Sequence, residues 1–152
     1  MFYTIQGNDI LIANNKEALS KYYSDVLPLP IDYEAGKYIV QDNELVLNPN
    51  YEEELALKEK ERIAKLYLTG ADVERGIYQA KGMDFDDILA YVTQAQPEGL
   101  DIKALKIELK ANNFYRGNPY VNAIGQLLGF TSEQLDLFFE TNDYTTLLPQ
   151  EI

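Results

Sequence analysis

The 152-residue chain contains no cysteine, no histidine and no tryptophan. Without cysteine, a disulfide framework, a thiolate zinc site and thiol catalysis all drop out, and the composition fits a reducing compartment. Without histidine, the commonest general base and the commonest transition-metal ligand are gone. Chemistry would have to come from Asp, Glu, Lys, Tyr, Ser and Thr. Long apolar runs are missing too, so no segment predicts a membrane span. The start, Met1 to Asn15, has neither the basic region nor the continuous apolar core of a secretory signal. These absences lead to the expectation of a soluble, cytoplasmic protein.

What is abundant is negative charge: 25 Asp and Glu stand against 13 Lys and Arg. The excess is uneven. Residues 1–56 hold ten acids and three bases, 99–130 hold two acids and four bases, and 131–152 hold five acids and no base. Such a chain repels nucleic acid and anionic membranes over most of its surface and attracts basic partners. Apolar residues make up 46%, which is a globular composition and long enough to bury a core.

The punctuation predicts an α+β protein: a small N-terminal ββαββ unit (1–48), a long connecting helix (49–68) and a C-terminal bundle of about five short helices (69–152). Phe2 to Ile5 and Ile10 to Ile12 flank the turn Gly7-Asn8-Asp9, and Lys37 to Val40 and Leu45 to Leu47 flank a second turn. Between the hairpins, Asn15 can cap a helix running to about Val26, ahead of Pro28 and Pro30. Tyr51 to Leu68 is rich in Glu, Lys, Ala and Leu and predicts one helix, half of it facing solvent. It permits a dimer without requiring one. Later helix starts are signalled by Thr69, Asp84, Asp101, Asn118-Pro119 and Thr131 with Gln134.

Several constellations invite a functional reading. Ile124 to Leu135 has the cadence of a helix-turn-helix, but its second helix offers Glu133, Asp136 and Glu140, with Asp143 beyond. Carboxylates there oppose phosphate contact, so direct nucleic-acid binding is not expected. Asp84, Asp86 and Asp87 read as a helix cap rather than a cation site, as do Glu52, Glu53 and Glu54. Lys103, Lys106 and Lys110 share one helical face, with Arg116 beyond. They make either a patch for phosphate or an acidic partner, or a solvated face paired with acids elsewhere. The loop from Asn112 to Tyr120 concentrates Phe114, Tyr115, Arg116, Asn118 and Tyr120, the residue mix of binding surfaces. The competing reading is a structural connection with its aromatics in the core. No metal ligands, cofactor motif or catalytic residues are identified, and the expectation is a non-enzymatic protein.

Two stretches carry a resemblance. Tyr38 to Pro49, followed by the Glu-rich segment and Arg62 to Thr69, resembles small hypothetical proteins of phages and prophages, often encoded near tail or tail-fibre genes. The loop Phe114 to Pro119 and the turn Gly129-Phe130-Thr131 are similar to the C-terminal part of that group. The resemblance covers about residues 38–140 and includes no catalytic signature. It implies a phage accessory protein that binds another protein, in the host cytoplasm or on the virion, as a tail-fibre-associated or assembly component. The charge suggests an alternative: an anti-CRISPR-type inhibitor mimicking nucleic acid, its acidic surface formed by Glu133, Asp136, Glu140 and Asp143, its partner a basic host nuclease.

Overall fold

The structure, a computed structural model, describes residues 1–150. The chain is mixed α+β and divides into two compact units, 1–57 and 58–152, with the division inside a helix. The expected helical domain runs to 152, but its last residues, Glu151 and Ile152, lie outside the described residues.

In the first unit, β1 (Phe2–Gln6) and β2 (Asp9–Ala13) form the expected hairpin, in register from Phe2 opposite Ala13 to Gln6 opposite Asp9. Asn15 caps α1 (Lys16–Ser20) by accepting from the Glu17 N–H at 2.7 Å. The helix ends far short of Val26, because both Tyr22 and Tyr23 donate back to the Leu19 carbonyl and tighten its last turn. The released chain returns as an unforeseen strand, β3 (Leu27–Pro28), on the free edge of β1. Proline is tolerated there because an edge strand leaves one side unpaired. The second hairpin, β4 (Tyr38–Gln41) and β5 (Glu44–Leu47), turns through Asp42 and Asn43, both at positive φ (51° and 62°), the signature of a type I′ turn. It forms a sheet of its own. The expected ββαββ order therefore gains a strand and splits into two sheets. Only Tyr3, Thr4 and Leu19 of this unit are buried.

Helix α2 (Tyr51–Ala64) buries no side chain. It stops four residues before the expected end, where Lys65 and Leu66 donate to Arg62 and Ile63 in a tightening turn. The next residues, expected as helix, become β6 (Tyr67–Thr69), paired antiparallel with β7 (Asn113–Tyr115). A partner strand far along the chain outweighs the local helical propensity of Leu and Ala.

The second unit is helical, and its caps fall where the sequence places them. Thr69 caps α3 (Gly70–Lys81), Asp84 with Asp87 forms a capping box on α4 (Phe85–Ala95), and Asp101 caps α5 (Ile102–Glu108). Asn118 and Pro119 open α6 (Pro119–Leu127), and Thr131 with Gln134 opens α7 (Ser132–Thr141). A short 3-10 helix, Tyr144–Leu147, was not foreseen; it buries Leu147 against the core. Two helical glycines set the packing. A Cβ on Gly76 would meet Phe138 Cζ at 2.3 Å, and one on Gly125 would meet Leu135 Cδ1 at 2.6 Å. The core around them leaves a cavity of about 30 Å³, walled by apolar side chains. That is far below the size of a ligand pocket.

Candidate protein-binding surface

The β6–β7 ribbon lies across the helical core, and strand alternation sorts its side chains. Leu68 opposite Phe114 faces inward; Tyr67 opposite Tyr115, and Thr69 opposite Asn113, face out. Phe114 is 2% exposed and packs on Phe85, with ring centroids 5.6 Å apart. The two tyrosines remain 57% and 51% exposed, their centroids 5.7 Å apart and their planes tilted by 45°. Backbone bonds beyond the strands pin the ribbon at both ends: Gly70 N–H to the Asn112 carbonyl, Arg116 N–H to Leu66, and Gly117 N–H to Ala64. The tyrosine pair is thus a large amphipathic surface on a fixed backbone, with little ordering left to do on binding.

The loop expected to form a binding surface is mostly interior. Alternation carries Arg116 inward beside Phe114, to 6% exposure. Its Nε donates to Asp136 Oδ1 at 2.7 Å, Nη1 to Asn122 Oδ1 at 2.6 Å, and Nη2 to Ser132 Oγ at 3.0 Å and to the Ser132 carbonyl at 3.3 Å. Asn118 spends its oxygen capping Tyr120 N–H at 2.9 Å, and its amide donates to Glu108 at 3.2 Å. Tyr120 is half-buried against the core. Of the five residues singled out, Tyr115 alone is fully presented. Its companion, Tyr67, was missed because it sat inside an expected helix; the apolar-polar alternation of Leu66 to Thr69 was the available signal.

The four acids offered as a mimic surface have internal tasks as well. Asp136 holds Arg116. Glu140 accepts both Nη1 contacts of Arg62 at 3.0 Å, while Glu59 takes the same guanidinium from the other side at 2.8 and 2.9 Å. Asp143 caps the 3-10 helix by accepting from Thr145 N–H and Oγ1, which holds its carboxyl below the ordinary value. Glu133, in the first turn of α7, is exposed, and among the described residues its carboxylate pairs with no cationic side chain.

A second polar cluster sits in the first unit. Tyr38 donates to Asp32 Oδ1 at 2.7 Å, Lys37 pairs with Asp32 Oδ2 at 2.9 Å, Tyr33 stacks on Tyr38, and Tyr51 donates to Glu34. The Tyr38 and Lys37 hydrogen bonds lower Asp32, while Asp32 raises Lys37 and Tyr38, and Glu34 raises Tyr51. Every one of these shifts deepens the protonation state the group already has at neutral pH. A general base or nucleophile needs the opposite.

Asp84 and Asp87 satisfy each other's backbone N–H groups in the capping box. Among the described residues no group of three His, Cys, Asp or Glu side chains is arranged to hold a metal ion. No helix among them is long and apolar enough to cross a membrane. An open groove of about 500 Å³ is lined by Lys81, Phe130, Glu133, Gln134 and Leu137, with Lys81 and Glu133 not joined as an ion pair.

No protein-family model, curated protein or solved structure matches this chain. The class that fold and surface define is a mixed α+β protein of two compact units, the second bearing an aromatic ribbon on a helical core.

Proposed function

We propose that this chain is a non-enzymatic phage accessory protein that works by binding another protein through the Tyr67–Tyr115 ribbon. One observation carries the reading. Two tyrosines, more than half exposed, stand side by side on a backbone pinned at both ends. Tyrosine so placed has the amphipathic character that dominates binding hot spots. The phage assignment, the tail-fibre or assembly role and a location in the host cytoplasm or on the virion rest on the resemblance of residues 38–49, 62–69 and 114–119.

The nucleic-acid-mimic alternative draws less support. Two of its four carboxylates, Asp136 and Glu140, are already ion-paired within the chain. An inhibitor of that kind would lose its basic target steeply as salt rises; a partner held by tyrosine contacts would not.

The test is isolation of the partner from the native host with the full chain as bait, followed by Tyr67→Ala and Tyr115→Ala. Each substitution is expected to weaken binding by about 2 kcal/mol, roughly thirtyfold, with little change between low and high salt. Wild-type affinity in the double variant would end this reading.

A further inference from the structure

Helix α5 presents a face that the rest of the chain leaves unanswered. Lys103, Lys106 and Ile107, at i, i+3 and i+4, share one side of α5, and Lys110 follows in the turn just past its end. All four are exposed, Ile107 at 70%, while Leu105 on the opposite side is fully buried. The three arginines of the chain each hold a carboxylate: Arg62 with Glu140, Arg75 with Asp72, Arg116 with Asp136. Among the described residues, none of these three lysines has a carboxylate within 4.0 Å. The acids nearest in sequence are engaged elsewhere, Asp101 capping Ala104 N–H at 3.1 Å and Glu108 receiving the Asn118 amide. The pairing with internal acids expected of this face is not found there. Three unneutralised ammonium groups thus surround an exposed isoleucine, on a chain of net charge −12.

We propose that this face binds an acidic segment of a protein partner, with carboxylates on Lys103, Lys106 and Lys110 and an apolar side chain covering Ile107. The inference rests on the protein-binding reading and adds the chemistry of the partner. Lys103 and Lys106 lie one helical turn apart and Lys110 follows in the closing turn, which suits carboxylates spaced over about two turns of a partner helix. Ile107 at the centre selects a peptide over a nucleic acid, because phosphates have nothing apolar to lay against it. The chain's distant acids do not cancel the local attraction for a short peptide, since charges are screened beyond about 8 Å at physiological ionic strength. A long polyanion would reach those acids and be repelled. The face also leads into the tyrosine ribbon: Lys110 lies three residues before Asn113, which opens β7 beside Tyr115.

The test uses the full chain and a fluorescein-labelled helical peptide with Glu at i, i+3 and i+7 and Leu at i+4, read by fluorescence anisotropy at low and physiological salt. Two control peptides replace the Glu residues with Gln or the Leu with Ser, and a single-stranded oligonucleotide is titrated in parallel. The Glu/Leu peptide is expected to bind best. The combined Lys103→Glu, Lys106→Glu and Lys110→Glu variant should weaken it by at least about tenfold, the sum of three exposed pairs. Ile107→Ser should weaken it by about fivefold through lost apolar contact, and Lys58→Glu with Lys60→Glu on α2 should leave it unchanged. All these side chains are exposed, so unchanged melting curves verify folding. Absence of peptide binding, equal binding by the α5 triple variant, or tighter binding of the oligonucleotide each overturns the inference. Loss of the native partner in the tyrosine variants but not in the α5 variant defeats this inference alone. Loss in the α5 variant but not in the tyrosine variants defeats the ribbon instead.

Discussion

At the residue scale, the most instructive position is Arg116. An Arg between Tyr115 and Gly117 reads naturally as a surface contact, yet it is the interior tie between the end of β7 and the start of α7. Read with a strand's period of two, Phe114 and Arg116 fall on one face and Tyr115 on the other; read as a loop, they had no assigned direction. Arg116→Met leaves Asp136, Asn122 and Ser132 without their shared donor. It is expected to destabilise the protein by about 3 kcal/mol, seen as a lowered urea midpoint. Thr4 offers the opposite case. Its Oγ1 is buried with no hydrogen-bond partner, so the isosteric Thr4→Val removes a desolvated hydroxyl and is expected to stabilise by about 1 kcal/mol. A melting temperature that falls instead would show that the hydroxyl has a partner in solution.

At the scale of elements, local signals were readable and distant ones were not. Thr69, Asp84, Asp101, Asn118 and Thr131 all cap helices because a cap is written within four residues of sequence. Strands β6 and β7 were hidden because each exists only by pairing with the other. The early end of α1 was hidden for the same reason, since β1 claims Leu27 and Pro28. Gly76 was equally silent in sequence, although the closeness of α3 to Phe138 depends on it. Gly76→Ala should gain up to about 1 kcal/mol of helix propensity but force a buried ring aside, for a net loss of about 1–2 kcal/mol. Calorimetry decides: an unchanged or higher melting temperature would mean that Phe138 moves freely.

At the scale of the molecule, charge and titration dominate. The chain has no histidine, the side chain whose ordinary value falls between pH 5 and 8. Asp32, Glu59, Asp72 and Asp143 have lowered carboxyl values through their hydrogen bonds to Tyr38, Arg62, Thr69 and Thr145 respectively. Their stabilisation is present above the unfolded value of about 4 and is lost as pH falls through the lower folded values. Lys37, Tyr38 and Tyr51 are raised, so their contribution holds below about pH 10 and is lost on further alkalinisation. Melting temperature should therefore form a plateau from about pH 5 to 9 with a fall on each side. A step near pH 6.5 would contradict it. Burial is as uneven as charge: three buried residues serve 1–57, while the second unit has a continuous apolar core. Slow amide exchange is expected to be confined to the second unit.

Helix α2 buries none of its fourteen side chains, and residues 52–61 are all exposed, so its middle is free to change in length. Four alanines inserted between Leu57 and Lys58 would add about one turn, roughly 6 Å, and should leave the melting of both units unaltered. A segment under so little packing constraint is open to lengthening, by drift or by design, without a buried side chain registering the change.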